Sequence, residues 1–241
     1  MNNLIHTKYK SLALFILFAL SSSFMSAQAQ SNSKDFESWN TLAFQFKPLD
    51  KISLALEQQA RFQENGSKLE QYFTQFEANY ECFKNFQIGS EFRYITKNDT
   101  KGKQQGYKYR FRYQINLLYK QKIKALTLKY KLAYQNRNEL GLSLDQGDIA
   151  KENIRFKVGL AYNIKKWYLD PKVSAEIFNT IGSDDPTTEG FSKYRFTIGT
   201  SYKIKKIGEI SFFYRFEKEI NVDLPLSSDI LGLKFAYVLK N

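Results

Sequence analysis

Apolar and polar side chains alternate with a period of two along most of the chain. Between Tyr107 and Tyr119 every odd position is aromatic or aliphatic, and five of the six even positions between them are polar. A strand places alternate residues on opposite faces, whereas a helix would scatter the two sets around its axis. The pattern therefore predicts a β-strand with one apolar face and one charged face.

The same alternation recurs and predicts an all-β chain with eleven candidate strands. Most are 11–14 residues long, whereas a globular strand usually has about five or six residues and a tilted bilayer-crossing strand needs about nine to eleven. The candidate strands are 36–46, 51–62, 69–81, 86–97, 107–119, 124–137, 152–163, 167–178, 191–204, 207–219 and 229–239.

The connections between these strands alternate in length. Short turns follow the odd-numbered strands, and longer segments rich in Asn, Asp, Gly and Pro follow the even-numbered ones. Outer-membrane barrels are built in this way, with the long loops outside. The chain is therefore predicted to form a single antiparallel transmembrane β-barrel of about 10–12 strands. Because bacterial barrels normally have an even strand number and a periplasmic N-terminus, we expect ten or twelve strands, and the direction of the first strand stays open.

Residues 1–29 have the features of a cleaved signal peptide. Lys8 and Lys10 precede the apolar stretch Leu12–Leu20, and Ala27–Ala29 forms an A-x-A cleavage site. The mature chain would be residues 30–241, a single barrel exported across the inner membrane of a Gram-negative cell. Cleavage removes the two lysines and no acidic residue, so the formal net charge falls from +12 to +10.

A soluble barrel would show the same alternation with its aromatic face turned inward, so a periplasmic lipocalin-like carrier is an alternative. The export signal, the long strands and the tyrosines near predicted strand ends favour the outer membrane. These are Tyr94, Tyr107, Tyr119, Tyr134, Tyr162, Tyr202 and Tyr237. We then expect contact with outer-membrane lipid and lipopolysaccharide, and insertion by the barrel-assembly machinery.

The mature chain contains no histidine, because His6 lies within the predicted signal. Several known outer-membrane barrel enzymes use histidine as the general base or its partner, since its pKa lies near neutrality. The sequence thus predicts a non-enzymatic protein with no catalytic residues. A membrane-embedded lipid hydrolase using carboxylate and hydroxyl groups is an alternative. Cys82 is the single cysteine, so neither a disulfide framework nor a Cys-rich metal site is predicted. No other metal site and no cofactor are expected.

The charged face of the strands would point into the barrel and is predominantly basic. One interpretation is a narrow channel or binding protein for small anionic solutes; the other is a salt-bridged plug that fills a small barrel. Nucleic acid is not expected, because the charges interleave with aromatics instead of forming one exposed basic surface. The candidate binding residues are Lys108, Arg110, Arg112, Lys129, Lys131, Arg155, Lys157, Arg195 and Arg215, accompanied by Glu57, Glu77, Glu91, Glu176 and Glu217.

Several stretches together resemble the domain-of-unknown-function 2490 family of bacterial outer-membrane β-barrel proteins. The resemblance extends over nearly all of the mature chain and implies the same fold and location, without implying an activity or catalytic residues. The matching stretches are Trp39, Leu54–Phe62, Leu69–Phe76, Tyr134–Glu139, Phe213–Asn221 and Ile230–Leu233.

Overall fold

The computed structural model describes residues 34–99, 105–141, 150–165, 167–183, 189–205 and 207–239. The predicted signal peptide, residues 1–29, lies outside the described residues. Within the described ranges, no helix is long and apolar enough to cross a membrane.

Each of the eleven candidate strands is present. They are β1 (Lys34–Leu49), β2 (Ile52–Gln63), β3 (Lys68–Phe83), β4 (Phe86–Asp99), β5 (Gly106–Ile123), β6 (Leu126–Glu139), β7 (Lys151–Tyr162), β8 (Leu169–Gly182), β9 (Gly190–Ile204), β10 (Gly208–Glu219) and β11 (Ser227–Leu239). Several are longer than predicted, because pairing continues into segments that the sequence assigned to turns. Residues 120–123, for example, pair with 126–129 as the end of the β5–β6 ladder.

The strands form one closed barrel in which every consecutive pair is antiparallel, and β1 closes the barrel by pairing with β11 in parallel. The expectation of ten or twelve strands is therefore wrong. Ten successive reversals leave β1 and β11 pointing in the same direction, so eleven strands can close only through a parallel ladder. Such a ladder also satisfies the edge N–H and C=O groups. β1 consequently begins at the end of the barrel that carries the long loops, and β11 ends at the opposite end.

The charged residues of the strands mostly face into the barrel, and most large apolar residues face out. Among the described residues, forty-five large apolar side chains are exposed, whereas eight hydrophobic residues are buried. Buried side chains include Gln75, Glu91, Arg112 and Gln114, which are polar or charged. This distribution is the reverse of that in a soluble barrel with an apolar core.

The connection after β2 is a four-residue turn at 64–67, and not the longer segment that the alternation of loop lengths predicted. Glu64, Asn65 and Gly66 all have positive φ angles, of 55°, 60° and 76°. The carboxylate of Asp35 accepts hydrogen bonds from the backbone N–H groups of Glu64 and Asn65 at 3.0 and 3.1 Å. The start of β1 therefore holds this tight turn in place.

Candidate functional site: a basic cavity inside the barrel

A cavity of about 730 Å³ lies inside the barrel, and residues from all eleven strands line it. Among the described lining residues, fourteen are Lys or Arg and seven are Glu. The alternation of the strands explains this composition, because positions two apart on one strand face the same side. The cavity lining thus carries an excess of seven formal positive charges.

Seven of the nine predicted binding residues line this cavity: Arg110, Arg112, Lys131, Arg155, Lys157, Arg195 and Arg215. Lys129 lies nearer the short-turn end, where it lines a second cavity of about 310 Å³ together with Lys131 and Lys157. Lys108 is at the long-loop rim, where its Nζ lies 3.0 Å from Asp99 and 3.9 Å from Glu139. The structure therefore brings eight of the nine predicted side chains to the inner cavities.

Three arginines of the cavity, Arg61, Arg93 and Arg137, were not among the candidate binding residues. Arg61 lies four positions after Glu57 on β2, and Arg93 lies two positions after Glu91 on β4. Both glutamates were predicted to face inward, so the period of two also places Arg61 and Arg93 on the inner face.

Four aromatic side chains also lie inside the barrel, contrary to the predicted separation of aromatic and charged faces. Trp39 and Phe73 are buried with exposures of 5% and 1%. Phe178 and Phe213 line the cavity. Each of the four rings is contacted by at least one guanidinium group.

The guanidinium groups stack on these rings around the cavity. The Cζ of Arg61 lies 3.6 Å from the ring centre of Trp39, and the Cζ of Arg93 lies 3.4 Å from that of Phe73. Arg155 and Arg195 lie 4.6 and 4.5 Å from the ring of Phe178. A cation is attracted to the face of an aromatic ring within about 6 Å, so these rings stabilise arginines that would otherwise repel one another.

Buried carboxylates balance part of the positive charge. Glu176 lies 2.6 Å from Arg155 and 3.6 Å from Arg195. Glu217 forms ion pairs with Arg195 and with Lys193, the latter at 2.5 Å. These pairs fix the guanidinium groups on the β7–β10 side of the cavity, because charge-assisted hydrogen bonds from a planar guanidinium group to a carboxylate are directional.

The large cavity adjoins smaller ones toward the short-turn end. Lys131, Lys157 and Phe213 line both the large cavity and the one that contains Lys129. Lys234 lines the large cavity and a third cavity of about 560 Å³ near the last short turn. Ion pairs lie at these boundaries, with Lys131 at 2.9 Å from Glu91 and Lys234 bound to Glu57.

The chemical groups available in the cavity suit the binding of anions. Guanidinium and ammonium groups donate several hydrogen bonds each and accept none. Across the described ranges, no group of three or more His, Cys, Asp or Glu side chains is placed to hold a metal ion.

The fold and the cavity together define an eleven-stranded β-barrel with an apolar outer face and a charged inner cavity. The family model for proteins of unknown function DUF2490 matches residues 36–221, and the chain belongs to this family. The match runs from β1 through the end of β10, so the similar stretch Ile230–Leu233 on β11 lies beyond it. No curated protein matches the chain.

Proposed function

We propose that the protein is a non-enzymatic outer-membrane barrel that acts as a narrow, anion-preferring channel. The observation that carries this proposal is the basic cavity of about 730 Å³ enclosed by an outer face of apolar side chains. A Gram-negative outer membrane would be the location, with lipid and lipopolysaccharide around the barrel and the barrel-assembly machinery as the insertion route.

The outer face supports a lipid environment. No charged residue occupies the outward positions between Phe36 and Phe46 of β1, between Tyr107 and Tyr119 of β5, or between Leu231 and Leu239 of β11, and the middle of the other strands follows the same rule. A charged side chain on the lipid face of a barrel costs about 2–4 kcal/mol at the bilayer midplane for Arg or Lys. A surface free of such charges is therefore suited to lipid.

Aromatic residues border this face at both ends. Tyr94 and Tyr109 stack with ring centres 6.0 Å apart near the long-loop end, and Tyr119 and Tyr130 stack at 6.4 Å near the short-turn end. Aromatic girdles of this kind lie at the two membrane interfaces of transmembrane barrels. Their separation along β5 supports a bilayer-spanning orientation of the strands.

The inner residues support anion transfer better than catalysis. The chain after residue 29 has no histidine, which removes the side chain whose unperturbed pKa best suits a general base near neutral pH. The adjoining cavities carry lysine and arginine from the long-loop half to the short-turn half. Rings of basic side chains favour anions in pores.

Planar lipid bilayers with a potassium chloride gradient test the channel. We expect discrete conductance steps and a reversal potential of the sign given by chloride preference. Reversing two inner charges with Arg110→Glu and Arg112→Glu should shift the reversal potential toward that of potassium. The control Lys68→Glu reverses one charge at the β2–β3 turn, outside the cavity, where Lys68 pairs with Glu64. It should leave the reversal potential unchanged.

A salt-bridged plug is the second candidate, because ion pairs to Glu91 and Glu57 lie at the cavity boundaries. Correctly inserted barrels that never show discrete steps would contradict the channel and favour the plug. Steps without anion preference would contradict the role assigned to the basic lining.

A further inference from the structure

Three guanidinium groups converge on one side of the cavity, from β2, β4 and β5. The Cζ atoms of Arg61 and Arg93 lie 5.2 and 3.4 Å from the ring centre of Phe73, so they cannot be further apart than the sum of these distances. Arg93 and Arg112 donate hydrogen bonds to the same oxygen, Oε1 of Gln75, at 2.8 and 3.2 Å. Arg93 is therefore a close neighbour of both Arg61 and Arg112, and all three line the same cavity.

The positive charge of this cluster is poorly balanced. Within the described part of the chain, neither Arg61 nor Arg93 has a carboxylate within 4.0 Å. Arg112 has Glu91 at 3.5 Å, and that carboxylate is also bound by Lys131 at 2.9 Å. Two guanidinium groups thus share the neutral amide oxygen of Gln75, which offsets their charges less well than a carboxylate would.

One donor of the cluster is buried and has no partner. Arg112 is 8% exposed, and its Nε–H makes no hydrogen bond. Native structures rarely leave a buried donor unsatisfied, because the desolvation cost is about 1–3 kcal/mol. Since Arg112 lines the cavity together with Arg61 and Arg93, an anion bound there would supply the negative charge that the cluster lacks.

We propose that Arg61, Arg93 and Arg112 form a binding site for the phosphate group of a small soluble molecule. A guanidinium group presents a planar fork that matches phosphate oxygens in pairs. Three guanidinium groups from three different strands suit a tetrahedral oxyanion with four oxygens, whereas one or two guanidinium groups satisfy a planar carboxylate. The ligand is soluble, because the sheet separates the cavity from lipid.

This inference rests on the proposed function in one respect, since the ligand must reach the cavity from water through the barrel. The remainder of the cavity carries further basic side chains and exceeds the volume of a single phosphate ion. A ligand with a second anionic group would therefore find further donors, such as Arg215, whose Nε donates to Thr197 at 3.1 Å. Pyrophosphate should bind more tightly than inorganic phosphate.

Isothermal titration of the folded, detergent-solubilised protein tests the site with inorganic phosphate, pyrophosphate and acetate. All titrations are made at one ionic strength, because salt screens charge attraction. We expect pyrophosphate to bind more tightly than phosphate, and both more tightly than acetate. Arg93→Gln and Arg112→Gln should each weaken phosphate binding by about ten- to a hundredfold, the loss of one or two charged hydrogen bonds.

Lys97→Gln is the matched control, because it removes one positive charge from the same strand and cavity as Arg93, and Lys97 already pairs with Glu70 at 3.4 Å. It should change phosphate affinity by less than about threefold. Arg112→Lys keeps the charge but lacks the fork, so it should restore only part of the binding. The gel mobility of unboiled protein establishes that each variant is folded.

Three outcomes would overturn the site. Folded wild-type protein could fail to bind phosphate, could bind acetate equally well, or could lose as much affinity through Lys97→Gln as through Arg112→Gln. Anion-selective conductance without phosphate binding would refute this site and leave the channel standing. Phosphate binding by a barrel that does not conduct would refute the channel and support the site.

Discussion

The ring of Phe213 occupies the space in front of Gly232 on the neighbouring strand. A Cβ on Gly232 would fall 2.0 Å from Cζ of Phe213. Phe213 is also the register partner of Gly199 on its other side, so glycines flank it on both neighbouring strands. An aromatic ring fits into the inner face of β10 because its two neighbours have no side chains.

Gly232→Ala should destabilise the barrel, because the new methyl group cannot be accommodated without moving Phe213. We expect the free energy of unfolding to fall by about 1–3 kcal/mol, as for other overpacked interiors. Gly159→Ala is the control, since its Cβ would lie 3.7 Å or more from its nearest neighbours. Urea unfolding in lipid vesicles measures both, and equal midpoints for Gly232→Ala and Gly159→Ala would contradict the Phe213 contact.

Glu176→Gln should cost more stability than the loss of an exposed ion pair. The side chain of Glu176 is 7% exposed and forms ion pairs with Arg155 and Arg195. Replacing it by Gln removes the negative charge from both ion pairs. We expect a loss of about 3 kcal/mol. The control is Glu64→Gln, which breaks an exposed pair with Lys68 and should cost about 0–1 kcal/mol. Similar urea midpoints for the two variants would show that the Glu176 pairs contribute little.

The parallel closure of the barrel can be tested by cross-linking. Ala43 of β1 and Ala236 of β11 are register partners and both are buried. In a Cys82→Ser background, Ala43→Cys with Ala236→Cys should form a disulfide on oxidation, because paired residues have the short Cα separation that a disulfide needs. Mass spectrometry of linked peptides detects it.

The matched control for this cross-link is Ala43→Cys with Ile230→Cys. Ile230 lies six residues before Ala236 on the same strand, about 20 Å away at the usual rise per residue. This pair should stay reduced under the same oxidation. Efficient linkage of the control pair, or none in the Ala43–Ala236 pair, would contradict the register.

The chain's two tryptophans should respond differently to quenchers in lipid. Trp39 lies inside the barrel beneath Arg61, whereas Trp167 lies at the β7–β8 turn and is 59% exposed. Brominated lipids should quench the fluorescence of the Trp39→Phe variant, which retains Trp167, more strongly than that of the Trp167→Phe variant. Stronger quenching of Trp39 would mean that the inner and outer faces are assigned the wrong way round.

The alternation of side chains was sufficient to predict the strands and their inner faces. On β5, Arg110 and Arg112 line the cavity, as their even positions predicted. The strand ends were less predictable, because backbone pairing extends past the apolar stretch. The length of the β2–β3 turn was also not predictable from nearby residues, since the turn is held by the side chain of Asp35, which is distant in sequence.

The closure of the barrel and its inner aromatic residues could not be obtained from local pattern. Which strand pairs with β1 depends on the number of reversals in the whole chain, and a general preference for even numbers gave the wrong answer. Phe213 interrupts the alternation of β10, and the reason is found on other strands, at Gly199 and Gly232. Such compensations become visible only when the strands are paired.

For the cluster of Arg61, Arg93 and Arg112, too, the sequence pattern predicts part of the arrangement and strand pairing determines the rest. Each arginine could be assigned to the inner face from its own strand. Their convergence depends on Phe73 and Gln75 of β3, which separates β2 from β4. Pairing and register, not composition, bring the three guanidinium groups together.

Fractionation combined with gel mobility tests the central claim, that this is a barrel whose apolar face lies in the outer membrane. The protein should remain in the outer-membrane fraction after a carbonate wash, and unboiled samples should migrate differently from boiled ones because the closed barrel stays folded in detergent. Recovery of the folded protein in the soluble periplasm would contradict the account and favour a lipocalin-like carrier.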